Sequence, residues 1–100
     1  MASDPALQMG MMKLLASKHF PLHPPRRKLK LDKLCQAIGK VTGTETSSDA
    51  VFDNLTELKG RGYVNTEPKI ILRDEIDTCE FEIWLTPLGR SELMKKLQAS

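Results

Sequence analysis

The sequence predicts an α+β domain of about four helices with a small antiparallel sheet. Three observations predict it. Apolar residues recur at helical spacing in four separate stretches. Between the third and fourth of these, the segment from Tyr63 to Leu85 favours strands, one of them strictly alternating. Glycine, proline and hydroxyl residues stand at the boundaries of these stretches, where chain exits and helix caps belong. One hundred residues, 40% hydrophobic and 28% charged, suit a single folded domain over 1–100, with its core in 5–98.

The first helix starts at Ser3 or Asp4, with Pro5 in its first turn, where a missing N–H costs nothing. Leu7, Met11, Leu14 and Leu15 form its apolar stripe, and Met9 and Met12 broaden it. The methionines read either as core filler or as a soft surface for a partner or a homodimer. Gly10 within this helix costs about 1 kcal/mol against alanine. His19 to Pro25 contains three prolines and cannot continue a helix. Leu29 falls in a very short strand. Leu31, Leu34, Cys35 and Ile38 define a second helix of about ten residues, ended by Gly39. Residues 40–46 then form a long connection.

The third helix is the centre of the chain. Val51, Leu55 and Leu58 give one face, widened by Phe52. Ser47, Ser48 or Asp49 caps its start, and Gly60 and Gly62 release its end. Tyr63 and Val64 begin a β run. Residues 69–73 and 79–85 read as the two strands of a hairpin, with Asp74, Glu75, Ile76 and Asp77 as an acidic tip. In the second strand Cys79, Phe81, Ile83 and Leu85 alternate with Glu80, Glu82 and Trp84, so one face is buried. Trp84 is then an exposed candidate hot spot, or core if the register shifts by one. Thr86 caps a last helix with Pro87 in its first turn and Leu93 and Leu97 on its inner face.

No apolar run approaches the roughly 20 residues needed to span a bilayer. The start, MASDPALQ, lacks a basic region before an apolar core, so no secretion signal and no membrane partner are expected. Cys35 and Cys79 sit inside apolar patterns, which favours two buried free thiols and fits a reducing interior. A zinc site would need His19, His23, Cys35 and Cys79 to converge, with no Cys-x-x-Cys pair to start it, so no metal and no other cofactor is expected. Glu80 and Glu82 have no nucleophile or phosphate loop beside them, which argues against an enzyme.

Charge is strongly segregated. Arg26, Arg27, Lys28, Lys30, Lys33 and Lys40 stand against a single acid, Asp32, in residues 21–40. Glu45, Asp49, Asp53 and Glu57 stand against Lys59 in residues 41–60. The net charge of +2 hides this polarity.

With LTELKGRGYV (55–64) leading to a hairpin and then LTPLGRSEL (85–93), the chain resembles the winged helix-turn-helix superfamily. The second phrase is similar to one common in small bacterial and archaeal winged-helix regulators. LDKLCQAIG followed by FDNLTELKGRGYV is also similar to the C-terminal winged-helix domain of origin-recognition AAA+ initiators. The resemblance covers about residues 5–98. It implies duplex-DNA binding in transcription or replication control, at the nucleoid or in the cytoplasm (in the nucleus for a eukaryote). The third helix would then enter the major groove and the wing would lie on the backbone. It also implies a minority of members that bind only proteins.

On that reading Arg26, Arg27, Lys28, Lys30 and Lys33 anchor phosphates where the second helix crosses the backbone. Arg61, Lys69 and Arg73 add wing-side contacts, and Asn54, Thr56 and Lys59 are the candidate base readers. The charge pattern offers an opposing reading. Asp49, Asp53 and Glu57 form an acidic stripe along the third helix, either a solvated face or a docking face for a protein, and phosphates repel it. The basic block reads equally as a solubilising loop or as a surface for an acidic protein.

Overall fold

The computed structural model describes residues 4–17 and 28–99. In chain order its elements are α1 (Pro5–Leu15), β1 (Lys28–Leu29), α2 (Leu31–Thr42) and α3 (Ser48–Gly60), then β2 (Val64–Glu67), α4 (Arg73–Ile76), β3 (Phe81–Leu85) and α5 (Pro87–Ala99). The result is a small α+β domain of five helices and a three-stranded antiparallel sheet in the order β1-β3-β2. Arg26, Arg27, His19 and His23 lie outside the described residues. None of the described helices is long and apolar enough to cross a membrane.

The helix boundaries follow from side-chain oxygens and glycines. Asp4 caps α1 by accepting from the backbone N–H groups of Ala6 and Leu7 at 3.1 and 3.2 Å. Ser47 caps α3 by accepting from Ala50 N at 3.1 Å. At its far end, Tyr63 N donates to Leu58 O and Gly62 N to Lys59 O, each at 3.0 Å. Gly62 takes φ +79° there, so α3 ends in a Schellman turn that only glycine enters cheaply. Thr86 caps α5 through Gly89 N at 3.0 Å, and its hydroxyl donates back to Gly62 O at 2.5 Å. The end of α3 and the start of α5 are thereby joined.

Three expectations about local structure fail. The second helix does not stop at Gly39. It runs to Thr42 and ends at Gly43, which has φ +73°. Its last turn is held by packing: a Cβ on Gly10 of α1 would collide with the Thr42 methyl, so the glycine is a notch for α2. The connection to α3 shrinks accordingly to residues 43–47, an ordinary helix-to-helix length. Residues 69–73 are not a strand. β3 pairs instead with β2, Thr66 opposite Ile83 and Val64 opposite Leu85. The chain between them returns through the short helix α4, because Ile76, expected at an acidic tip, is fully buried. Finally, Leu97 is 47% exposed, since α5 buries only Gly89 and Leu93 against the domain.

The core is one apolar cluster. Met11, Met12 and Leu15 of α1 meet Leu34 and Ile38 of α2, Val51, Leu55 and Leu58 of α3, and Phe81, Ile83 and Leu85 of β3. The methionines of α1 are therefore core filler: Met11 and Met12 are buried and Met9 is half-buried. Of the α1 methionines only Met9 is left partly accessible at the surface. The alternation in β3 holds, with Phe81, Ile83 and Leu85 inward and Glu82 and Trp84 half-buried on the other face. Phe52 is only partly buried. Both cysteines are free and half-buried, and burial raises the Cys35 pKa, so its thiol is a weak nucleophile.

Candidate functional site

The outer face of α3 was the expected reading surface, and its residues have three different fates. Asn54 is not on it. This side chain is 1% exposed and faces α1. Its Oδ1 accepts from Asp4 N and from Gln8 Nε2, each at 3.0 Å, and its Nδ2 donates to Ala50 O at 2.8 Å. Asn54 is a structural pin between α1 and α3 and cannot reach a base edge. An Asn54→Ala variant takes the Oδ1 acceptor from the Asp4 N–H and one of its acceptors from the Gln8 amide inside the domain. It is expected to lose about 1–3 kcal/mol of stability in urea unfolding. An undiminished unfolding midpoint would contradict that role.

Lys59 is turned aside as well. Its Nζ donates to the carbonyl of Lys69 at 2.6 Å, and partial burial lowers its pKa. Thr56 is exposed, but its hydroxyl donates to Phe52 O at 2.9 Å within its own helix. What α3 presents to solvent is Asp49, Thr56 and Gly60, with Asp53 half-exposed beside them. The third acid of the stripe, Glu57, turns away toward Gln8 and Arg61.

The wing-side arginines are already engaged. Arg61 bonds Glu57 at 3.0 Å. Arg73 bonds both Asp49 of α3 and Asp77, and its guanidinium lies 5.6 Å from the centre of the Phe52 ring. These carboxylates raise the Arg73 pKa. Together with the Lys59–Lys69 bond, this ties the 69–73 segment along one edge of α3. Lys69 itself remains exposed.

The remaining cations come together elsewhere. Lys28 and Lys30, from the short strand and the residue after it, line one groove with Lys33 and Lys40 of α2. The groove holds about 810 Å³, and Leu14, Leu29, Ala37 and Val41 give it an apolar floor. Among the described residues that line it, Asp32 and Glu80 are the only acids. All four lysines are exposed, and none makes an ion pair with a described residue. β1 is placed at the sheet edge by its pairing of Lys28 with Glu82 and Leu29 with Phe81. Burial of Leu31, Leu34 and Ile38 turns the opposite side of α2, with Lys33, Gln36 and Lys40, outward. No residue of α3 lines the groove.

Lys40 counts toward the basic charge of residues 21–40 but is not among the phosphate anchors the sequence suggests, and it joins this set. Lys33 and Lys40 are seven residues apart and share a helix face only if α2 continues past Gly39. Among the described residues there is no cluster of three or more metal-binding side chains. No family model matches the chain, and neither a curated protein nor a solved structure matches it.

Proposed function

We propose that the protein is a non-catalytic winged-helix module that binds duplex DNA in the control of transcription or replication. The observation that carries this reading is the edge formed by Lys28, Lys30, Lys33 and Lys40, four exposed cations around one groove that make no ion pair with a described residue. Phosphate neutralisation by such residues supplies most non-specific affinity for DNA. The frame agrees with the reading. A pair of helices, α2 and α3, is followed by a β2–β3 ribbon closed by β1 on the far side of β3. The reading needs no catalytic group and no cofactor.

The test is a titration of a mixed-sequence duplex at low and at physiological salt. Micromolar or tighter binding that weakens steeply with salt is the expected result. Absence of binding at low salt would sink it. A second reading, a protein-docking module, is favoured by a separate observation. Ile70 is 80% exposed and Leu72 53% exposed on the chain between β2 and β3, beside the carboxylates of Asp74 and Glu75. That reading takes over if DNA fails to bind.

A further inference from the structure

We infer that the protein holds DNA along the β1–α2 lysine edge and through the phosphate backbone alone, with α3 kept off the bases. The inference rests on the DNA-binding reading above and specifies its surface. Lys33 and Lys40 stand two helical turns apart, about 10 Å along α2. Projected on the duplex axis, that distance corresponds to about three base-pair steps of rise. Lys30 and Lys28 carry the row past the start of α2 onto the sheet edge. Four lysines around one groove, with Asp32 and Glu80 in its lining and Glu82 opposite Lys28 in the sheet, leave an excess of positive charge for phosphates to meet.

The same structure withdraws α3 from base reading. Sequence readout needs donors and acceptors that reach base edges. Asn54 is buried and Lys59 is spent on the Lys69 carbonyl. Thr56 donates to its own helix. Asp49 and Asp53 face solvent on the α3 surface, where phosphates repel them. The screening length in physiological salt is only about 8 Å, so lysines on another surface do little to offset that repulsion. Binding through this edge therefore carries no base information, and it is recognition of duplex DNA as a charged rod.

The test uses the full chain and two duplexes of shuffled sequence, each about two helical turns long. Three proteins are compared: the native chain, the triple variant Lys30→Gln, Lys33→Gln, Lys40→Gln, and Asp53→Lys. Lys30, Lys33 and Lys40 are exposed and Asp53 is half-exposed, and circular dichroism and thermal melting check that each variant folds. The native chain is expected to bind both duplexes equally within about threefold, and to lose roughly a hundredfold in affinity between about 50 and 200 mM salt, as four phosphate contacts require. The triple variant is expected to bind at least about tenfold more weakly, with a salt slope shallower by about 3. Asp53→Lys is expected to match the native chain. A triple variant that binds normally would overturn the lysine edge, and a strong preference for one duplex or a large gain from Asp53→Lys would overturn the exclusion of α3, each while leaving DNA binding standing. Failure of the native chain to bind either duplex at low salt would overturn the DNA reading itself.

Discussion

Gly89→Ala is expected to lower the melting temperature by roughly 12–24 °C, the equivalent of about 3 kcal/mol in a domain of this size. The reason is backbone on backbone. A Cβ at Gly89 would collide with the Tyr63 carbonyl oxygen, and would lie 2.8 Å from that carbonyl carbon and 2.9 Å from Leu85 Cδ1. A flexible side chain could swing away, but a carbonyl fixed by its neighbours cannot. The Tyr63 oxygen also accepts from Thr86 N at 3.0 Å, so moving it strains the junction between α3, the sheet and α5. Gly60→Ala is the control: nothing lies within 4 Å of a Cβ there, and its φ is not positive. Thermal melts of the two variants decide the matter. Equal melting temperatures would mean that α5 does not seat against Tyr63 as described.

Much of this junction was legible in the sequence. Thr86 with Pro87 marks a helix start, and Gly62 marks a helix exit, because both statements depend on local chemistry alone. Helical period placed Val51, Leu55 and Leu58 on one face, and strand period placed Phe81, Ile83 and Leu85 on another, as found. The losses came where a distant contact outweighed a local preference. Gly39 looked like a stop signal, but Thr42 packs into the notch at Gly10 and draws α2 onward by one turn. That turn carries Lys40 to the groove, so one missed boundary concealed one member of the candidate site.

The site itself was only half legible. Segregation of charge named Lys28, Lys30 and Lys33, and these do line one groove. It could not tell a free cation from a spent one. Arg61 and Arg73 look like phosphate anchors in the sequence, yet each is bonded to a carboxylate. Asp49 is remote from Arg73 in sequence and reaches it only because the chain between β2 and β3 folds back on α3. Asn54 shows the same limit from the other side. A polar residue next to Leu55 and two before Thr56 reads as outward until its angular position on the helix is set against α1.

Ile76→Ala is expected to cost about 2–5 kcal/mol, the range for truncating a buried isoleucine. Ile76 is fully buried, and the turn around it is closed on three sides. Its N–H donates to Leu72 O at 3.0 Å, Arg73 bonds Asp77, and the backbone of Thr78 and Cys79 donates to Glu75 O, each at 3.1 Å. Ile70, six residues earlier, is 80% exposed, and Ile70→Ala is expected to stay within about 0.5 kcal/mol of the native chain. The two substitutions remove the same atoms from the same connection, so their contrast isolates burial from composition. A simple hairpin with strands at 69–73 and 79–85 predicts the reverse for Ile76, since a residue at the tip of such a hairpin is solvated and its truncation silent. Urea unfolding of the two variants therefore distinguishes the folded-back connection from the hairpin. If Ile76→Ala unfolds at the native midpoint, α4 does not plug the core. The hold of Arg73 on Asp49 would then lose its anchor, and α3 would regain an unobstructed outer face.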